Sequence, residues 1–243
     1  MKTCALLLPL LAVSAEAATL TGSFVAFGGA AALPSGTNTD WGYFDPSATA
    51  VASLNATNTS NTGARTFTVT AAGTGTLVRG SATDSDNSFS YGNGESPGSA
   101  TTQKVGGVFS SLIGPGGEGS GVKFSAGSFS VPSLIELYTY EFRASGTLRV
   151  YLNADTTALY TQQIITGGAD GSKDGQKFSF NFTPDGTGDS LRFEYIMDDA
   201  VGDNSTANLG FQAIAISPIP EPGSLLLLAL TGLPLAIRRR RCM

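Results

Sequence analysis

Side chains alternate apolar and polar with a period of two through the second half of this chain, and no long stretch sustains a helical period instead. Phe178, Phe180 and Phe182 fall on one face of an extended segment, with Ser179, Asn181 and Thr183 on the other. Leu191, Phe193, Tyr195 and Met197 alternate in the same way with Arg192, Glu194 and Asp198, and Leu148, Val150 and Leu152 with Arg149, Tyr151 and Asn153. Tyr138, Tyr140 and Phe142 form a further alternating run, and Ser145-Gly146 reads as the turn after it. Residues 134–153 therefore predict a hairpin. Asp170-Gly171, Asp174-Gly175 and Asp185-Gly186 punctuate the following strands as turns. Turn signals roughly every ten residues and the lack of any crossover helix predict an all-β fold, an antiparallel β-sandwich or jelly roll, and disfavour parallel α/β.

The first third is less regular. Residues 19–27 and 65–71 read as strands, whereas the Asn/Thr-rich stretch 55–63 and residues 84–102 read as surface loops. With no fixed-period repeat and no internal linker, residues 18–217 are expected to form one domain.

Both ends differ from this middle. Lys2, an apolar run over residues 5–13 and Ala15-Glu16-Ala17 have the order of a secretory signal peptide, with cleavage after Ala17. At the other end, Pro218-Ile219-Pro220-Glu221-Pro222 is held extended, because proline fixes its own φ and restricts the residue before it. An apolar run over residues 225–237 follows, and then Arg238, Arg239, Arg240 and Arg241, which would stop transfer and stay in the cytoplasm. As a helix the run from Gly223 would span only ~22 Å, short of the roughly 30 Å hydrocarbon core. A permanent tail anchor of that length needs a thinned bilayer, whereas a transient signal does not.

The order Pro220-Glu221-Pro222, apolar span, arginine block resembles the PEP-CTERM sorting signal of Gram-negative bacteria. The resemblance covers residues 218–243, with two departures: Pro234 interrupts the span, and Cys242-Met243 extend beyond the arginines. It implies recognition of Pro220, Glu221 and Pro222 by an exosortase, a membrane cysteine transpeptidase. It also implies transient anchoring in the inner membrane and final placement at the cell surface or in the extracellular matrix, in bacteria that make exopolysaccharide. The second half is also similar in layout to the jelly-roll modules that precede this signal, a layout that carbohydrate-binding modules share.

Composition narrows the chemistry. The chain has no histidine, which excludes Ser-His-Asp, Cys-His and histidine-ligated metal sites. Its two cysteines, Cys4 and Cys242, sit in the two removable ends, so the exported domain has neither a disulfide nor a cysteine nucleophile. Lys2 and the four terminal arginines supply five of the 14 basic residues, and Glu16 and Glu221 two of the 19 acidic ones, which leaves residues 18–218 at net −8. That charge disfavours nucleic acid and anionic lipid and is compatible with neutral polysaccharide or divalent cations. The glycine-rich segment 114–119 lacks the Lys-Ser/Thr ending of a phosphate loop and reads as a flexible turn.

Asp198-Asp199 and Asp84/Asp86 are the close acidic clusters, and both read as solvated loops rather than a glycosidase pair. Asp198, Asp199 and Asp203, with Asn204, are candidate oxygen ligands for calcium, although their spacing is not that of an EF-hand. Trp41, Tyr43 and Phe44 suit either sugar stacking or the core, and a lone tryptophan favours the core. The resulting expectation is an exported, non-catalytic surface or matrix protein associated with exopolysaccharide. The alternative is a carboxylate-dependent glycoside hydrolase or calcium-dependent carbohydrate-binding module on the same fold.

Overall fold

The computed structural model describes residues 17–34, 39–44, 56–58, 67–80, 87–91, 100–104, 107–165, 173–186 and 188–220. Among them the strands in chain order are β1 (Thr19–Ala26), β2 (Ala30–Ala32), β3 (Asp40–Tyr43), β4 (Ala56–Asn58), β5 (Phe67–Ala72), β6 (Leu77–Arg79), β7 (Ser88–Tyr91), β8 (Ala100–Lys104) and β9 (Val108–Ser110). They continue with β10 (Gly121–Phe129), β11 (Ser133–Phe142), β12 (Ala144–Leu152), β13 (Ala158–Ile164), β14 (Asp174–Thr183), β15 (Asp189–Ala200) and β16 (Asn208–Pro218).

The alternation finds its partners in two facing antiparallel sheets. One has the order β1-β14-β11-β16-β3-β4, with β9 and then β6 continuing from the start of β16; the other has the order β13-β12-β15-β10-β5. Phe178, Phe180 and Phe182 of β14 and Leu191, Phe193, Tyr195 and Met197 of β15 are all buried between them. The Phe180 ring meets Phe193 across the gap at 5.8 Å, Phe182 meets Phe129 edge-on at 5.1 Å, and Phe211 lies 6.1 Å from Tyr195. The fold is a β-sandwich, as the alternation predicts.

The predicted hairpin over residues 134–153 does not form. β11 belongs to one sheet and β12 to the other, and the single residue between them, Arg143, takes a left-handed φ of 50° to turn that corner. Ser145-Gly146 is not a turn but the point where the β12–β15 register shifts, a bulge. Of the consecutive links from β10 to β16, only the β12–β13 hairpin stays within one sheet. Asp174-Gly175 likewise opens β14 rather than forming a turn, whereas Asp185-Gly186 does separate β14 from β15, its Asp185 amide donating to Asp189 Oδ2 at 3.1 Å. Asp170-Gly171 lies outside the described residues.

A third layer corrects the loop assignment for residues 84–102. Ser88–Tyr91 and Ala100–Lys104 pair with each other, and β2 joins β7 in parallel. This small sheet covers the outer face of β11 and β3. Phe89 is 0% exposed and packs edge-on against Tyr138 at 5.1 Å, while Tyr91 lies 4.5 Å from Trp41 and 5.2 Å from Tyr43. The cover explains why both faces of β11 are buried. In the stretch read as a loop over residues 55–63, Ala56–Asn58 pair with β3. The glycine-rich segment is a turn, but an anchored one: Gly114 N–H donates to Ala207 and Gly119 N–H to Met197, and Gly114 at φ 66° approaches Ser205 too closely for a side chain.

Candidate functional site

Strand direction fixes where the two termini of the domain emerge. Leu20 pairs with Phe182, Phe182 with Ser133, and Ser133 with Pro218, so the first residues of β1 and the last of β16 share one rung of one sheet. Three strand spacings separate them, about 14 Å. Ala17, just before β1, is exposed. After Pro218 the Ile219 amide makes a last backbone bond to Pro132 at 2.8 Å, and Pro220 is exposed. Ala15, Glu221, Pro222 and Arg238 to Arg241 lie outside the described residues, as does the apolar span 225–237. Among the described residues no helix is long and apolar enough to cross a membrane.

The opposite end of the sandwich carries the cavities. The end of β1 and the start of β14, paired at Ala26 and Gln176, form a cavity of about 370 Å³ lined by Phe24, Phe27, Lys173, Asp174 and Gln176. A second cavity, about 240 Å³, lies beyond Lys173 among Arg79, Phe109, Phe142, Thr206 and Asn208. Lys173, largely buried between the two, holds its ammonium 5.1 Å above the Tyr140 ring. Nothing in the sequence marks this lining as a site: Asp174 reads there as a turn residue and Phe142 as a strand position, and pairing of segments some 150 residues apart assembles the larger cavity.

A buried polar group lies beneath this end. Glu141 is 0% exposed, and its Oε1 accepts the Tyr195 hydroxyl from the facing sheet at 2.6 Å. Thr139 donates to Gln176 at 3.1 Å beside it. Burial, reinforced by the Glu141 carboxylate, raises the Tyr195 phenol far above its ordinary range. Burial alone does the same to Tyr140, and burial with Glu136 to Tyr138. Glu141 pairs in register with Asp174, but it is sealed inside, and Asp174 is the acid that lines the larger cavity.

The candidate calcium ligands reach the same end by a different route from the one expected. Asp198 and Asp199 are not on a loop: they are exposed residues of β15 at the bulge against β12. Asp198 Oδ2 accepts hydrogen bonds from Thr147 at 2.6 Å and Gln163 at 3.3 Å. Asp203 follows on a short 3-10 turn with φ 52°, and Asn204 Oδ1 is taken by the Thr206 hydroxyl and amide. Among the described residues no three acidic or cysteine side chains converge as a metal cluster. Asp84 and Asp86 lie outside the described residues. Trp41, Tyr43 and Phe44 are buried, as core residues should be, so they present no aromatic face to solvent.

No protein-family model matches the chain, and no curated protein matches it.

Proposed function

We propose that this chain is an exported surface or extracellular-matrix protein of Gram-negative type, sorted by an exosortase through Pro220, Glu221 and Pro222 and associated with exopolysaccharide in a non-catalytic role. The observation that carries the reading is the shared exit of both termini. β1 begins and β16 ends on one rung of one sheet, about 14 Å apart by strand spacing, so a signal peptide cleaved after Ala17 and an anchor following Pro222 would both be processed at one membrane. The cavities and the exposed acids then point away from it, toward the matrix.

The strand order supports the finer fold reading, a jelly roll. β14-β11-β16 faces β13-β12-β15-β10, with one in-sheet hairpin and crossings elsewhere. Phe24 and Phe27 beside Lys173, Asp174 and Gln176 combine apolar ring faces with hydrogen-bonding groups, a lining suited to a sugar unit.

Sorting is tested at Glu221, the single charge between the last strand and the arginine block. Glu221→Ala is expected to leave an uncleaved, inner-membrane-retained chain in the native host, detected by fractionation and immunoblotting. Normal release of that variant would overturn the recognition role.

Calcium on Asp198, Asp199 and Asp203 is the cofactor this reading admits, because exposed carboxylate oxygens suit a hard cation. An ion bound only by the folded state raises the melting temperature by mass action. The expected outcome is a rise in Tm with free calcium that Asp199→Ala abolishes. No calcium dependence at millimolar concentration would leave these acids as a solvated strand end.

A further inference from the structure

The two sheets end on the same flank in β1 and β13, and this flank differs from the rest of the domain in charge. The eight residues of β1 and the seven of β13 include no charged side chain and no proline, although residues 18–218 carry net −8. Exposed sheet edges are ordinarily guarded by lysine, proline or an inward charge, because their free N–H and C=O groups template pairing with another strand. Here that protection is missing on both edges at once. Among the described residues no strand pairs with the outer edge of either one.

Apolar exposure gathers on the same flank. Of the seven large apolar side chains exposed among the described residues, four belong to these strands or adjoin them: Phe24, Val25 (55% exposed), Leu159 and Ile165 (77% exposed). Gly22 keeps the two edges close, since a Cβ there would run into the Phe180 and Tyr160 rings.

We propose that this flank is a self-association surface whose occupant is a second copy of the chain, docked edge to edge with its strands antiparallel. Charge permits this occupant: none of the net −8 lies on β1 or β13, so two copies can meet at this flank without opposing charges. Geometry selects it, because a partner must satisfy two strand edges at once at the spacing of this sandwich, which a second copy does by symmetry. A two-fold axis perpendicular to the sheets sets β1 beside its symmetry mate and β13 beside its own, both antiparallel, so both sheets continue across the contact and the interface closes on itself. The alternative axis along the strands would set β1 beside the mate's β13 in parallel, a weaker ladder.

The antiparallel arrangement has a topological consequence. β1 begins at the end from which the termini leave, so the two copies direct those ends in opposite directions. Two chains anchored side by side in one membrane cannot pair this way, whereas released copies, or copies on facing surfaces, can.

Sedimentation of the full chain, kept soluble in mild detergent, tests the assignment. The wild type is expected to be dimeric, and Thr21→Lys or Val25→Glu to raise its dissociation constant about tenfold or more, because each sets a charge into an otherwise uncharged strand edge on both sides of the contact. Circular dichroism confirms that each variant keeps its strand signal. Thr161→Lys, at an exposed position on β13, supplies an independent variant should either β1 change fail to fold. A monomeric wild type would overturn the proposal. A dimer unaffected by all folded variants would show that the contact lies elsewhere, including at the apolar ends of the chain.

Discussion

Replacing Phe180 by alanine is expected to destabilise the domain by about 3–5 kcal/mol, the cost of emptying an aromatic site in a packed core. The ring is fully buried and sits between the sheets, stacked on Phe178 at 6.0 Å, edge-on to Tyr160 at 5.0 Å and 5.8 Å from Phe193. These neighbours come from β13, β14 and β15, so no single strand can shift to refill the space. Urea unfolding should therefore show a lower midpoint with an unchanged slope, which marks a loss of stability rather than a change in compactness. Phe24→Ala, at the partly exposed edge of the same sheet, should cost much less. A loss under about 1 kcal/mol for Phe180→Ala would mean that the aromatic face of β14 does not form the core.

Alkaline pH should unfold the protein steeply. The Tyr140 and Tyr195 phenols are wholly buried, and burial holds both far above the ordinary tyrosine range, with Glu141 adding to the effect on Tyr195. In the unfolded chain the same groups lose their protons near pH ~10. Their folded-state pKa values are raised, so their stabilisation is intact below the unfolded value and is lost as pH rises above it. With two protons kept by the native state and released by the unfolded one, stability should fall by about 2.7 kcal/mol for each pH unit above that point. Tyr138 acts in the same direction. Urea midpoints measured across the alkaline range check this, and Tyr140→Phe should reduce the slope by about 1.4 kcal/mol per pH unit. A pH-independent midpoint would contradict the buried, protonated state of both phenols.

Much of the sandwich was legible because a two-sided strand writes its burial into alternate residues. Phe178, Phe180 and Phe182, and the run from Leu191 to Met197, face inward as their spacing requires. What could not be read is which sheet each strand joins. Tyr138 to Leu152 looks like a hairpin because both arms alternate, yet the chain crosses between layers at Arg143, and no local residue pattern distinguishes a crossing corner from a turn. Ser88-Phe89-Ser90-Tyr91 does alternate, but four residues between polar stretches read as a loop until Tyr138 and Trp41 are seen to need a cover. The acids at Asp198 and Asp199 were misplaced for a related reason. Glycine and aspartate nearby signal a turn, whereas the β12 pairing carries β15 past them to Ala200.

The candidate site divides in the same way. The proposed sorting signal is an order of segments, Pro220-Glu221-Pro222, apolar span and arginine block, and can be read without any fold. The cavity beside Lys173 depends on the register that brings Ala26 to Gln176 and has no local signature. Tyr195 and Glu141 each read as ordinary strand positions, and only the stacking of the sheets joins them.

The central claim is that both ends of this chain are processing signals leaving one end of a jelly-roll domain. Intact-mass measurement of the surface or secreted form from the native host tests it most directly. The account predicts a chain that begins at Ala18 and lacks the segment from about Gly223 onward. Recovery of an exported chain that still ends in Arg241-Cys242-Met243 would contradict it and restore a plain tail anchor.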